Sequence, residues 1–350
     1  MEYKKQTAGL AGVVTGLLLV LLCLPVAAAQ DLFESEVVVA DQSQAVRTDA
    51  FRQALTRIIV RVAGDQTVLS GEPARKLLED PARLVQQYRY FTEQASSPPQ
   101  LKLWARFDGD AIRRSLQQQG MSYWGGERPD TLVWLAVEDR GRRYIVSADS
   151  SSDVHRQIQQ AARQRGVPIL FPLMDLEDQT QVKFSDLWGG FFDKVLVASK
   201  RYSPPAVLIG RLNRSPSGGW SSRWYLDVVG RSNEWSDSHR QLQELARQGV
   251  EDVADILATR FAVTGGGANG RRVDITVNGI ETLAAYARIS SYLSTLSSVS
   301  KVEVGELTPA GVRYSLQSSG GLQDLTRTVS IGTVLEPDPA GLPGSFRLRQ

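Results

Sequence analysis

The sequence predicts a mixed fold, α/β and α+β, arranged in three units, and three observations lead there. Short apolar runs of strand length alternate with segments whose apolar residues recur at helical spacing. Glycine and proline gather at a few points between these segments, most densely at Gly265-Gly266-Gly267. Hydrophobic residues make up 42% of the 350 positions, enough for several cores in a chain of this length.

Residues 1–29 read as a secretory signal peptide. Lys4 and Lys5 form a basic start, no charged residue follows until Asp31, and residues 17–24 are the densest apolar run. Pro25 interrupts the helical pattern, and Ala27-Ala28-Ala29 supplies the small residues a signal peptidase accepts. Cleavage is expected after Ala29, leaving Gln30 first in a periplasmic protein. An uncleaved anchor helix is the alternative, since the uncharged stretch nearly reaches bilayer length. Lipidation of Cys23 would be a third route to a membrane, but Leu21, Leu22 and Leu24 depart from the small-residue pattern of lipoprotein signals.

A mixed α/β (α+β) amino-terminal domain is expected at 30–127. Residues 33–40, with Val37-Val38-Val39, read as a strand, and 41–63 as an amphipathic helix burying Val46, Ala50, Ile58 and Val62. Residues 84–92 and 101–107 read as a hairpin turning through Ser96-Ser97-Pro98-Pro99. Asp108 or Asp110 is placed to cap a helix that buries Ile112 and Leu116 and ends at Gly120.

A central three-layer α/β domain is expected at 128–263. Residues 131–137 form the nearly continuous apolar run of a strand covered on both faces, and 167–171 and 207–212 repeat it. Helices are expected at 151–165 and 187–202, so the strands should pair in parallel. Residues 220–229 alternate, with Trp224, Leu226 and Val228 against Arg223, Tyr225 and Asp227, as in a half-exposed antiparallel strand. Ser238 and Gln241 have capping-box spacing and should open a helix over 239–263.

Residues 264–270 read as a Gly-rich linker. Beyond it, strands at 273–277, 302–307, 312–316 and 333–335 and helices at 281–296 and 322–329 give the order of a ferredoxin-like βαββαβ domain over 271–336. Residues 337–350, rich in Pro and Gly, read as a flexible tail.

Composition narrows the function classes. Lys and Arg total 40 against 38 Asp and Glu, with no basic stripe, which gives no electrostatic case for nucleic acid. Arg140 to Arg143 surround Gly141 and read as a solvated turn. Cys23 is the only cysteine, so the cleaved chain would be free of disulfides. His155 and His239, both read as helix starts, match no zinc pattern, and no metal or cofactor is expected.

Several spacings invite chemistry but lack its context. Gly265, Gly267 and Gly270 fit G-x-G-x-x-G, yet no strand precedes them and no helix follows. Ser298 and Lys301 fit S-x-x-K, but where a helix gives way to a strand. Asp175, Glu177 and Asp178 bunch near a turn and could hold calcium or act as acids, though capping and solvation explain them as well. The stronger candidates are Trp124-Gly125-Gly126 and Trp188-Gly189-Gly190. An aromatic beside two residues without side chains leaves backbone accessible to a partner, so Trp188, Gly189, Gly190 and Trp124 form the candidate interaction surface. Each tryptophan could instead seal a core edge above a tight turn.

The chain resembles the exported bacterial family known as domain of unknown function 2066. The residues that carry the resemblance are Ala50-Phe51-Arg52-Gln53-Ala54-Leu55, Tyr88-Arg89-Tyr90, Leu103-Trp104-Ala105-Arg106-Phe107, the 129–137 strand, Phe171-Pro172-Leu173-Met174-Asp175-Leu176-Glu177-Asp178, Trp188-Gly189-Gly190 and Val207-Leu208-Ile209-Gly210-Arg211-Leu212. The resemblance implies export and no catalytic residues. The expected function is therefore non-enzymatic: a periplasmic binding or adaptor protein of the cell envelope with an envelope protein as partner. Its rivals are a hydrolase built on Asp175, Glu177 or Asp178, and a small-ligand sensor with an apolar pocket between domains.

Overall fold

The computed structural model describes residues 32–94, 98–264, 270–308 and 311–349. The leader expected at 1–29, with its cleavage point, lies outside the described residues, as do Ser96, Ser97 and the glycines Gly265 to Gly267.

The chain enters through β1 (Glu34–Val38), followed by α1 (Gln44–Ala63), α2 (Glu72–Glu79), β2 (Val85–Glu93), β3 (Gln100–Phe107), α3 (Gly109–Gln118) and the short β4 (Ser122–Tyr123). The strands form an antiparallel sheet in the order β1-β3-β2. The helical spacing of α1 brings Phe51, Leu55, Ile58 and Val62 into one core with Leu103, Ala105 and Phe107 of β3. Asp108 caps α3 by accepting the Ala111 N–H at 2.9 Å. Helix α2 is an addition to the expected elements. It buries Ala74 and packs Leu77 and Leu78 against the same core, a helical spacing confined to a single turn.

The central region runs β5 (Thr131–Asp139), β6 (Arg142–Ile145), α4 (Asp153–Arg165), β7 (Ile169–Leu170), α5 (Leu176–Gln181), α6 (Phe184–Gly189), α7 (Phe192–Ser199), β8 (Ala206–Arg214), β9 (Trp220–Val228), β10 (Arg231–His239), α8 (Leu242–Phe261) and β11 (Val263–Thr264). Its mixed sheet has the order β10-β9-β8-β5-β6, with β7 also beside β5. Strand β5 is parallel to β7 and β8, and the remaining pairs are antiparallel. Thr131 to Val137 are all buried because helices lie on both faces. Val133, Leu135 and Val137 share a core with α4 and α8, while Leu132, Trp134 and Ala136 share another with α6 and α7. Trp224 slots between β8 and α8 where Gly210 and Gly249 lack side chains; a Cβ at either would come within 2.3 Å or 2.7 Å of the indole.

Three expectations for this region need correction, and one strand is added to them. The helix at 187–202 is two helices, α6 and α7, separated at Gly190, which adopts φ 77° and closes α6. The strand at 167–171 shrinks to Ile169–Leu170, because Pro168 and Pro172 flank it and have no N–H for a ladder. The helix at 239–263 starts at Leu242, since β10 continues through Ser238 to His239 and Gln241 caps the helix without a side-chain bond. Strand β10 is itself unexpected: it is a polar edge strand whose only large apolar side chain is Trp235.

The last region contains β12 (Arg271–Asn278), α9 (Leu283–Thr295), β13 (Val299–Thr308), β14 (Gly311–Ser318), α10 (Leu322–Ile331), β15 (Leu335–Pro337) and β16 (Ser345–Leu348). The sheet order is β13-β14-β12-β16-β15. The flexible tail expected at 337–350 is therefore corrected, because Ser345–Leu348 pairs in parallel with β12 and antiparallel with β15. Phe346 anchors it in the core, and the strand occupies the place beside β12 where a ferredoxin-like order would put β15.

Backbone pairing crosses between regions where Val263 and Thr264 of β11 meet Tyr123 and Ser122 of β4. Among the described residues no helix is long and apolar enough to cross a membrane.

Candidate functional site

The two Trp-Gly-Gly triplets meet different fates. Trp124 is 1% exposed, which removes it from the candidate surface. The Arg128 guanidinium lies 3.9 Å over its ring. That arginine donates to the carbonyls of Gly125, Arg165, Gly166, Arg61 and Trp124, so five acceptors surround one buried cation. Burial, followed by the nearby charge of Arg61, brings Arg128 down to about 9. Arg165 and Arg61 are buried in the same seam. Arg165 pairs with Glu251 and, at 2.8 Å, with Asp255, while Arg61 donates to the carbonyls of Gln164, Leu32 and Glu34. The first triplet is thus a structural joint between α1, α4 and α8.

Trp188 is only half-buried, at the carboxyl end of α6. Its ring stacks on Phe184 at 5.1 Å, and its carbonyl accepts a bond from Arg211. The backbone N–H of Gly190, expected to be free, donates instead to the carbonyl of Leu187, because the left-handed cap folds it back on the helix. What the turn presents is side chain: Phe191 is 60% exposed.

Two open grooves flank this turn. One, of about 550 Å³, is lined by Asp186, Gly190, Phe191, Phe192, Lys194 and Tyr225 among others. Phe192 stacks on Tyr225 at 4.1 Å, and Lys194 bridges to Asp186 at 2.5 Å. The other, of about 490 Å³, lies over the polar half of the sheet and includes Trp188, Arg211, Asn213, Ser221, Arg223 and Ser236. Helices α6 and α7 cover the apolar residues Val207 and Ile209 of β8 and stop short of Arg211 and Asn213 on the same face. The sequence held two signals for this second groove: a charge inside the apolar run of β8, and the polar side of the alternation in β9.

The other candidates resolve into structural roles. Asp175, Glu177 and Asp178 do come together, but around Arg201, at 2.8, 3.6 and 3.0 Å. Asp175 also caps α5, and the hydrogen bond from Arg201 holds its carboxyl well below the usual range, so it has no proton to donate as a general acid. Asp178 is 1% exposed and accepts from Tyr202 Oη at 2.6 Å, while burial and that bond push Tyr202 up to about 12. His155 packs against Phe171 at 4.6 Å, and His239 ends β10 rather than starting a helix. Ser298 precedes β13 and is buried, whereas Lys301 lies within that strand and pairs with Glu303 at 2.6 Å, so the two do not share a helical turn. Among the described residues no His, Cys, Asp and Glu group is arranged to hold a metal ion.

Comparison with known proteins adds one finding. A family model described as Domain of unknown function (DUF8605) matches residues 27–125, the segment that spans β1 to β4 and stops within the buried triplet. No curated protein matches the chain.

Proposed function

We propose that this chain is an exported, periplasmic binding or adaptor protein of the cell envelope, docking a protein partner through the turn between α6 and α7. The observation that carries this reading is Phe191, exposed beside the Phe192–Tyr225 stack on a turn whose backbone is already satisfied. An aromatic side chain held out on a rigid turn at the mouth of a groove is suited to anchor an interface. The leader-like first 29 residues and the resemblance to domain of unknown function 2066 support export, and the ion-paired carboxylates around Arg201 weigh against the hydrolase. We read the architecture as an α+β unit, a three-layer α/β unit and a ferredoxin-like unit with β16 inserted.

Crosslinked capture from periplasm tests the proposal. The same envelope protein should be recovered with the natural chain and lost with Phe191→Ser, while the melting midpoint stays within a degree or two of the original. Recovery of the chain alone at every crosslinker length would sink the adaptor reading. Amino-terminal sequencing of the secreted form should begin at Gln30.

A further inference from the structure

The bare half of the central sheet carries a grid of polar side chains. Across β8, β9 and β10, Arg211 stands opposite Arg223, which stands opposite Ser236; one step along, Asn213, Ser221 and Ser238 form the next row. Residues two apart share a face, so all six project to the side that α6 and α7 leave uncovered. Two guanidiniums, an amide and three hydroxyls are gathered with no carboxylate in either row. Glu234, in the row beyond, sits opposite Tyr225. Asp237 borders the groove from between these rows, where it pairs with Ser222 and lies beside Asp252.

Like charges directly opposite across strands repel. Nearby cations avoid this by pairing: Lys194 with Asp186 at 2.5 Å, Arg143 with Glu138 at 2.8 Å and Arg201 with Asp175 at 2.8 Å. Arg211 donates to the Trp188 carbonyl and feels the charge of Glu234, but neither Arg211 nor Arg223 makes an ion pair among the described residues. A local rule broken without direct pairing is expected at functional sites.

We propose that this grid binds the phosphate group of a small molecule or of a lipid headgroup. Tetrahedral phosphate offers acceptor oxygens in several directions, which suits donors converging from three strands, and arginine forks match it. The groove of about 490 Å³ is larger than phosphate alone, and Trp188 at its border offers an apolar surface to the group that carries the phosphate. The site is separate from the Phe191 surface and stands if that reading fails.

Calorimetric titration of the purified chain with glycerol phosphate, and flotation with phosphatidylcholine vesicles containing phosphatidylglycerol, test the site and distinguish its two sources. Saturable binding of glycerol phosphate assigns a soluble ligand; binding to the anionic vesicles alone assigns a headgroup. In either case Arg223→Gln and Arg211→Gln should each weaken binding about tenfold or more, and added salt should weaken it further. Arg223 is exposed, so its variant should melt like the parent. Binding to neither probe, binding unchanged in Arg223→Gln, or equal competition by malonate overturns the proposal.

Discussion

Trp124-Gly125-Gly126 and Trp188-Gly189-Gly190 share a tripeptide and a bond, for in each the tryptophan carbonyl accepts from an arginine. They differ in what else surrounds that arginine. Arg128 is buried and satisfied by five carbonyls, whereas Arg211 faces a groove and another arginine. The same local chemistry makes a joint when closed on every side and a site when one side is left open.

The largest effect is expected at the buried joint. Trp124→Ala should cost roughly 3–5 kcal/mol through the cavity it leaves, read as a large fall in denaturant midpoint. Arg128→Met should cost roughly 3 kcal/mol, because several buried carbonyls lose their donor at once. A small loss from either would mean that the joint does not hold α1 to α4.

At the open triplet the same tests should give smaller numbers. Trp188→Ala should cost roughly 1–2 kcal/mol, since the ring is half-buried and gives up mainly its stack on Phe184. Equal losses at Trp124 and Trp188 in parallel melts would erase the distinction between the two triplets. Gly190→Ala should cost about 1 kcal/mol from the left-handed backbone at φ 77°, and it should weaken capture only as far as it displaces Phe191.

The smallest effect is expected behind β10. Asp237 and Asp252 lie near one another there, and burial, followed by repulsion from Asp237, pushes Asp252 up to about 6. An acid whose folded value is raised stabilises the fold in its protonated form. That contribution is complete below about pH 4 and is lost as pH rises through 6. Asp252→Asn should therefore flatten the stability profile across that window and raise the midpoint at neutral pH, by less than about 1 kcal/mol because the group is partly solvated. A profile unchanged by the substitution would place the titrating group elsewhere.

Much of the framework could be read in advance where local pattern and tertiary environment agree. The unbroken apolar run of β5 implied cover on both faces, the period of α1 implied one buried side, and Asp108 stood where a cap was needed. Strand β10 and Ser345–Leu348 could not be read this way, because each is held by backbone pairing, β10 to the adjacent β9 and Ser345–Leu348 to the distant β12, and neither carries a period of its own. The site divides along the same line. Composition and alternation placed Arg223 on an exposed face, and a lone charge marked Arg211 within its strand. Their opposition depends on the register between β8 and β9, which is fixed by the turn closed from Ser215 to Gly219. The sequence by itself determined that two Trp-Gly-Gly turns would exist and that strands and helices would alternate between them. Only the tertiary structure decided that Trp124 would be closed in by Arg128 while Trp188 was left at a groove, since burial is a property of what packs against a turn and not of the turn itself.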